Sequence, residues 1–390
     1  MQLRDVRKAK VNGRRVLIRV DYNIETTTAG QLRDIQRIKA TRPTLQWLLR
    51  HGASVIIVTH RGRPTSRTDK WTVKPVVAVL RRLLNHPVEF VSTPIFSRLT
   101  QKKIFDLPAG SVVLLENIRY QPGEEKNDRR LAKRLASFAD FYVNDAFATC
   151  HRAHASVAAI TRYLPSYAGL LLQHEVKELS RIMNRPPRPF VAIIGGAKIS
   201  TKLGLVKNLL QRTDHVLLGG ALANTVLAAE GLAIGRSVDE PAMRKSVRGI
   251  TVRNKHLKIP CDVIVAKQIS NNISTQIKPV GKIGSREIIL DIGPDTILLY
   301  QTIIKAAKTI VWNGPMGYYE LSKYARGTLA IARAIAASRS WSIAGGGETI
   351  DAIARQKLTA KFSFISTGGG AMLEFLEGRK LPGLVAVTKH

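Results

Sequence analysis

Short β-branched runs alternate with longer amphipathic stretches along this chain, and no other sequence feature restricts its fold as much. The amphipathic stretches carry helical periodicity, for example at Arg37–Arg50, Lys74–Leu84 and Arg129–Ala139. Strands that alternate with helices favour parallel sheets with crossover helices. The predicted strands are Val16–Val20, Ser54–Thr59, Val112–Leu115, Phe141–Val143, Phe190–Ile194, His215–Leu218, Asp262–Ala266, Ile288–Leu290, Thr309–Trp312, Trp341–Ala344 and Ser363–Ser366. We therefore expect an α/β fold.

The chain is long enough for two domains, and one segment is a candidate connector. It has 390 residues, and single hydrophobic cores rarely grow so large. The run Asn184–Pro189 contains three prolines and is incompatible with a helix or a central strand. It follows an amphipathic stretch at Gly169–Met183. We expect an N-terminal domain at 1–168, an interdomain helix at 169–184 and a C-terminal domain from 185.

The composition is strongly basic, with 61 Lys+Arg against 28 Asp+Glu and a net charge of +33. The charge is spread, since residues 1–170 carry +17 and residues 171–390 carry +16. Such a surface steers anionic substrates and favours loose association with polyanions by counterion release. The first residues lack the apolar stretch of a signal peptide, and no apolar run approaches the length of a membrane span. With two cysteines in no metal-like spacing, a cytoplasmic protein is expected.

Charged side chains follow the strands of the first half, where a doubly wound sheet binds its ligands. Arginine offers a rigid fork of donors and keeps its charge, so several arginines at one sheet edge favour carboxylate and phosphate groups. A single arginine in so basic a chain is more simply a surface ion-pair partner. The residues that follow the strands, or begin the next helix, are Asp21, Asn23, Arg37, His60, Arg63, Arg119 and Arg152.

Glycines follow the strands of the second half. Glycine turns that lead into helices let the backbone approach a phosphate or a purine closely, and the helix N-terminus favours an anion. The turns contain Gly195-Gly196, Gly219-Gly220, Gly293, Gly314, Gly345-Gly346-Gly347 and Gly368-Gly369-Gly370. Neither GxxxxGK[ST] nor GxGxxG is present, which disfavours the Walker and dinucleotide-binding classes. The pattern predicts a nucleotide site.

Two lysines follow the first glycine pair. Lys198 and Lys202 stand four residues apart, and helical spacing would place them on one face at a helix start. Fixed cations there would meet the charge of a transferring phosphoryl group. The alternative is a pair of solvated lysines.

These segments, in this order, closely resemble the phosphoglycerate kinase family. The likeness covers essentially the whole chain, in RVLIRVDYN, QRIKA, THRGRP, LLENIRYQPGEEKND, YVNDAFATCHRAHAS, PFVAIIGGAKIS, DIGPDT, VWNGPMGYYE, AGGGET and FSFISTGGGA. The resemblance implies a monomeric glycolytic enzyme that transfers a phosphoryl group reversibly from 1,3-bisphosphoglycerate to ADP, with Mg²⁺. It implies two Rossmann-like domains that face each other across a hinged cleft, and a C-terminal tail, 376–390, that belongs with the first domain. The C-terminal domain is then 185–375.

The resemblance also implies roles for individual residues. The acid would be held by Asp21, Asn23, Arg37, His60, Arg63, Arg119 and Arg152. Arg37, Lys198 and Lys202 would be catalytic. The nucleotide would be held by Gly196, Lys198, Lys202, Gly293, Asn313, Glu320, Gly346, Gly347, Glu348 and Thr349, with Glu348 near the metal of the Mg-nucleotide. Three positions depart from the family pattern: Glu348 replaces the usual aspartate, Arg61 replaces an apolar residue, and Ala221 stands where a third glycine is common.

The sequence leaves one alternative function class open and disfavours another. The departure at Glu348 and the diffuse charge motivate the alternative hypothesis of a catalytically weakened relative that binds nucleotide and polyanions such as RNA. A nicotinamide-linked dehydrogenase is disfavoured because the glycine fingerprint and its acidic ribose clamp are absent.

Overall fold

The structure is a computed structural model that describes residues 2–27, 31–33, 35–251 and 254–388. The chain divides into two compact units. The N-unit comprises Met1–Lys177 with Lys380–His390, and the C-unit comprises Glu178–Arg379. Each unit has its own parallel sheet.

The N-unit contains a six-stranded parallel sheet. Its strands are β1 (Arg15–Arg19), β2 (Ser54–Val58), β3 (Glu89–Val91), β4 (Val112–Leu115), β5 (Phe141–Asn144) and β6 (Ser166–Ala168). The order is β3-β4-β2-β1-β5-β6, and each neighbouring pair is parallel. The helices are α1 (Gln36–Arg50), α2 (Val76–Leu84), α3 (Arg98–Phe105) and α4 (Arg129–Ala136), and α5 (Leu170–Met183) begins in this unit.

The four central strands, β1, β2, β4 and β5, are buried on both faces, which is why they read as continuous apolar runs. On one face, Val16, Ile18 and Val20 of the first strand segment pack in a cluster with residues of α1 and α2. Leu17 points to the other face and is also fully buried. The four strands predicted in this half are confirmed, whereas the short β3 and β6 lack an apolar run long enough to be recognised.

The C-unit contains a second six-stranded parallel sheet, in the order β15-β14-β13-β7-β8-β9, and a smaller sheet. The strands are β7 (Phe190–Ile194), β8 (His215–Leu218), β9 (Leu257–Lys258), β10 (Asp262–Ala266), β11 (Gln276–Pro279), β12 (Ile288–Ile292), β13 (Thr309–Asn313), β14 (Trp341–Gly345) and β15 (Phe364–Ser366). The helices are α6 (Leu203–Leu210), α7 (Gly220–Ala229), α8 (Arg244–Thr251), α9 (Pro294–Ala306), α10 (Arg326–Ala337), α11 (Gly347–Arg355) and α12 (Gly370–Leu376).

Two strands expected in this parallel sheet lie elsewhere. β10 and β12 pair antiparallel with each other, and β10 also pairs antiparallel with β11. Parallel neighbours need a crossover connection, usually a helix. Between β10 and β12 the described chain contains only β11 and no helix, so these strands form a separate three-stranded sheet.

The two units are joined through α5, and the last residues of the chain belong to the N-unit. The boundary between the units falls inside α5, which ends at Met183, and β7 begins at Phe190. The last helix, α13 (Pro382–Val385), belongs to the N-unit, where the Gly383 amide donates to the Cys150 carbonyl at 2.9 Å. In the described part of the chain, no helix is long and apolar enough to cross a bilayer.

Candidate active site

The carboxyl ends of the N-unit strands bring together most of the predicted acid-binding residues. Asp21 follows β1, and its carboxylate pairs with Arg37 in the first turn of α1. The other oxygen of Asp21 lies 3.6 Å from Nδ1 of His60, which follows β2. The Asn23 amide oxygen accepts from the Gly62 backbone N–H at 2.8 Å. These bonds join the turns after β1 and β2 into one rigid edge.

Arg119 and Arg152 complete this edge. Arg119 follows β4, donates to the Gly62 carbonyl and pairs with Glu125 at 3.2 Å. Burial lowers its pKa, Glu125 opposes that effect, and the positive charges of Arg152, Arg19 and Arg63 lower it further. Cations that destabilise one another need an anion between them. The local excess of positive charge therefore favours a carboxylate or phosphate ligand.

Arg19 is a member of this cluster that the sequence reading missed. It is the last residue of β1 and is 1% exposed. Its guanidinium donates to Ser156 Oγ at 2.9 Å and lies 4.0 Å from the buried Glu124 carboxylate. A fully buried charge is costly unless it is paired. An arginine inside an otherwise apolar strand was the signal that could have identified it.

His60 is held neutral at the centre of the cluster. Burial is the main cause, and the charges of Arg19, Arg119, Arg152 and Arg37 also lower its pKa well below the usual range. Arg19 Nη2 lies 3.2 Å from His60 Nδ1. Because a guanidinium only donates, Nδ1 must accept, and the proton is assigned to Nε2. His60 thus offers one N–H as a hydrogen-bond donor.

His154 gives this cluster a measurable pH dependence. Burial, and then the charges of Arg19, Arg119 and Arg152, lower its pKa to about 4. The unfolded chain binds the proton more readily, so stability should fall as the pH drops from about 6.5 towards about 4. We expect the urea midpoint to fall between about pH 7 and about pH 5.

The control for this prediction is His154→Gln, which removes the titrating group. Its urea midpoint should fall less over the same interval, because one proton fewer is taken up on unfolding. An unchanged pH dependence in the variant would assign the acid sensitivity to other groups.

Arg61 lies next to the cluster but serves another purpose. It is 4% exposed, and its guanidinium donates to the Ile24 carbonyl, the Thr72 carbonyl and Thr26 Oγ1 at 2.9, 2.9 and 2.6 Å. The charge that departs from the family pattern is therefore turned away from the acid-binding edge and ties the segment after β1 to the chain near Thr72. Burial lowers its pKa.

Replacing Arg61 with methionine should destabilise the protein. Methionine fills similar space but leaves the two buried carbonyls without their donor, and the expected loss is about 2 kcal/mol of unfolding free energy. Urea denaturation measures the loss. Lys126→Met is a matched control at an exposed N-unit lysine, where a change within about 0.5 kcal/mol is expected. Equal effects of the two changes would contradict the role given to Arg61.

In the C-unit, glycines allow the strand-end turns to pack against one another. Gly196 has φ +99°, and a Cβ there would lie 2.9 Å from Lys202 Nζ. A Cβ at Gly314 would lie 2.2 Å from the Gly195 carbonyl oxygen. Around Gly347, by contrast, nothing lies within 4 Å of an added Cβ. Gly314 is thus required by close backbone packing and Gly196 by its positive φ, whereas Gly347 leaves open space at the start of α11.

A cavity of about 180 Å³ lies beside these turns. Its lining is mostly apolar and includes Val238, Leu290 and Met316, as expected for a site that holds a flat base. Of the predicted nucleotide residues, Gly196, Glu320 and Glu348 line it.

Gly293 lies outside the cavity lining. It is the N-cap of α9, and an added Cβ would lie 2.2 Å from the Asp262 carboxylate. That carboxylate accepts from the Thr296 amide at 2.7 Å, so the space beside Gly293 is occupied by the cap of the helix.

The prediction that the two lysines share one face of a helix was wrong. α6 begins at Leu203, so Lys202 is its N-cap and Lys198 lies in the preceding loop. Lys198 is exposed. Lys202 donates to the Gly195 carbonyl at 2.6 Å, and burial lowers its pKa to about 8 although Glu348 opposes that shift.

The remaining predicted residues connect neighbouring turns. Asn313 Nδ2 donates to the Gly345 carbonyl at 2.8 Å, and the Gly314 amide donates to Thr349 Oγ1 at 2.7 Å. A Cβ at Gly346, with φ +96°, would lie 2.8 Å from Asn313 Nδ2. Asn313 and Thr349 are buried, so their side chains stabilise the turns on which Gly347 and Glu348 stand.

The described residues contain no group of three or more His, Cys, Asp or Glu side chains that could hold a metal ion. Glu348 is an exposed carboxylate at the cavity, in the first turn of α11. Mg²⁺ is commonly bound by one or two carboxylates together with substrate phosphates and water. The Glu348 carboxylate therefore fits a Mg²⁺ ion that arrives with a nucleotide.

Comparison with known proteins identifies the family. A sequence model described as phosphoglycerate kinase matches residues 6–379. The phosphoglycerate kinase of Thermomicrobium roseum is 44% identical over 393 residues, covering 100% of both chains, and that of Moorella thermoacetica is 43% identical over 97% of this chain and 98% of the relative. The solved phosphoglycerate kinase of Coxiella burnetii has a TM-score of 0.87 and 37% identity, covering 99% of each chain. This chain belongs to the phosphoglycerate kinase family.

Proposed function

We propose that the N-unit binds 3-phosphoglycerate or 1,3-bisphosphoglycerate and that the C-unit binds ADP or ATP. The observation that carries the first assignment is the cluster of arginines around a neutral His60. The second is supported by the apolar cavity beside glycine turns and Lys202. Family membership supports the reaction, a reversible phosphoryl transfer between the two substrates.

In this proposal the acid is held mainly by charge. Arg63, Arg119 and Arg152 bind its anionic groups as forked donors, while His60 donates from Nε2. Asp21 and Asn23 support the edge, and Asp21 holds Arg37 ready at the start of α1. In the direction of ATP formation, the bond between phosphorus and the C1 carboxyl oxygen breaks as a terminal oxygen of ADP bonds to phosphorus. The leaving group is the carboxylate of 3-phosphoglycerate.

No protein nucleophile is needed, because positioning and electrostatic stabilisation supply most of phosphoryl-transfer catalysis. Arg37 is proposed to meet the transferring group from the acid side, and Lys198 with Lys202 from the nucleotide side. Glu348 would hold Mg²⁺ through the nucleotide, with Gly346, Gly347, Asn313 and Thr349 close to the phosphates. Bound Mg²⁺ neutralises phosphate charge.

The proposal extends to the ribose and base contacts, to domain closure and to the domain bounds. Glu320 is assigned to the ribose, supported by its place in the cavity lining. Gly293 is assigned to the border of the base through its turn, since its neighbours Asp291 and Ile292 line the cavity. Because the substrates are assigned to different units, hinge closure is proposed to bring them into line and expel water. We also propose a monomer that works in the cytoplasm, with 1–168 and 376–390 as the acid domain, 169–184 as the connecting helix and 185–375 as the nucleotide domain.

A coupled assay with ATP, Mg²⁺ and 3-phosphoglycerate tests the proposal. Turnover within about 1–10³ s⁻¹ is expected for an active enzyme of this kind. No turnover, with tight salt-sensitive RNA binding instead, would favour the weakened relative. None of the similar proteins supports that alternative.

Substitutions at Glu348 test its assignment to the Mg-nucleotide. Glu348→Ala should raise the Mg²⁺ concentration that gives half-maximal turnover by about tenfold, because a carboxylate near the metal is lost. Glu348→Asp retains the carboxylate and should remain within about threefold of the parent. A magnesium titration of turnover at fixed ATP measures both. The same Mg²⁺ requirement in all three proteins would remove Glu348 from the metal.

A further inference from the structure

We infer that the outer side of α3 and α4 is a binding surface for single-stranded nucleic acid, separate from the kinase site. We call it the α3–α4 basic face. Its basic residues are Arg98, Lys102, Lys103, Arg129, Arg130, Lys133 and Arg134, and its exposed apolar residues are Phe96 and Leu99.

The two helices concentrate positive charge more than the chain as a whole does. Seven of their 16 residues are basic and none is acidic. All except Arg134 are exposed, and none of the seven forms an ion pair within the described residues. A polyphosphate strand gains affinity when such cations replace its condensed counterions. The charge of this surface is therefore available to an external polyanion.

Side-chain contacts join the two helices and place their charges near one another. Arg134 of α4 donates to Gln101 Oε1 of α3 at 3.0 Å and to the Ile95 carbonyl at 3.1 Å. The guanidinium of Arg130 lies 5.3 Å from the ring centroid of Phe96. These contacts place the start of α4 against the segment that leads into α3.

Three of the seven cations do not serve helix stability, whereas the other four lie in last turns, where positive charge is favourable. Arg98 is the first residue of α3, and Arg129 and Arg130 are the first two of α4. The amino end of a helix carries a partial positive charge, and cations there are unfavourable by about 0.3–1 kcal/mol each. Cations placed against the helix dipole, with no ion pair among the described residues, are better explained by an external anion.

The exposed apolar side chains among these cations favour a nucleic acid over a simple polyanion as the ligand. Phe96 is 45% exposed and Leu99 is 63% exposed. Proteins that bind single strands combine a basic surface with aromatic rings on which bases stack, and arginine adds to that stacking. Phe96 with Arg130 against it offers such a platform among cations that contact phosphates. Duplex backbones shield their bases, so the face fits a single strand.

The test measures fluorescence anisotropy of a labelled oligo-U RNA of about 20 nucleotides, between about 50 and about 200 mM salt. The triple change Lys102→Gln, Arg129→Gln and Lys133→Gln should raise Kd about tenfold or more and reduce the salt slope by about 2. The matched control carries Lys305→Gln, Lys308→Gln and Lys361→Gln at exposed C-unit lysines, with the same loss of charge. It should bind like the parent, and both variants should retain kinase turnover.

Phe96→Ala tests the stacking platform. It should raise Kd for oligo-U by about fivefold without changing the salt slope, and should not affect binding of an abasic strand of equal length. Equal losses of RNA affinity in the two triple variants would mean that the RNA is bound by diffuse electrostatic attraction, and would overturn the proposal. It is equally overturned by unchanged RNA affinity in Phe96→Ala, or by binding to anionic phosphatidylserine vesicles without binding to RNA.

Discussion

Replacing Arg37 with alanine is expected to lower kcat by about 10³-fold, since a cation that meets charge developing in the transition state is worth about this much. In the structure Arg37 is 33% exposed and is oriented by Asp21 rather than buried in a packed core. Its loss should therefore leave the fold and the nucleotide site intact. The KM for MgATP should change by less than about threefold, because an interaction made in the transition state acts mainly on kcat.

Steady-state kinetics of the coupled assay, with both substrates varied, measures this effect. Arg42→Ala is the matched control, since Arg42 is an exposed arginine on the same helix, and it should retain turnover close to that of the parent. Near-normal kcat in Arg37→Ala would remove Arg37 from the transferring group. A large rise in the KM for 3-phosphoglycerate with unchanged kcat would make it a ground-state binding residue instead.

Replacing Lys202 with methionine is expected to lower kcat/KM for MgATP by about 10²–10³-fold. Lys202 is half-buried beside the Gly195 carbonyl, and its pKa is lowered to about 8. It must carry its proton to offset phosphate charge, and it loses that proton as the pH rises through about 8. In the parent enzyme, kcat/KM should therefore fall above about pH 8, because this ratio reports groups of the free enzyme.

The pH profile separates this role from a structural one. In Lys202→Met the fall above about pH 8 should disappear, since the titrating group is gone. Lys207→Met removes an exposed lysine from the same helix and should preserve both the rate and the profile. A variant that keeps the alkaline fall would show that another group titrates there.

The glycine turns illustrate a limit of sequence reading. Glycine after a strand predicted close approach of a ligand, but Gly314 faces the backbone of Gly195 and Gly293 faces the cap of α9. A strand-end glycine has the same sequence signature in both cases. Which neighbour occupies the space beside it depends on the turns of adjacent strands, and these are far apart in the chain.

Lys198, Lys202 and Arg61 show that the direction of a side chain is also not specified by local sequence. Spacing by four residues predicted a shared helix face for Lys198 and Lys202, but the helix begins only at Leu203. Arg61 stands beside His60 in the sequence, yet its guanidinium binds carbonyls near Ile24 and Thr72. Local patterns do not specify where a loop ends or which distant carbonyl a long side chain reaches.

The sequence by itself determined the α/β class, the main strands and the family. Buried strands and helices have distinct periodicities of apolar residues, and long motifs such as LLENIRYQPGEEKND are specific to the family. The tertiary structure alone decided that Arg19 joins the cluster around His60, that the pKa of Lys202 is lowered, and that β10 and β12 leave the parallel sheet. The physical reason is that burial, pKa and strand pairing depend on groups that only folding brings together.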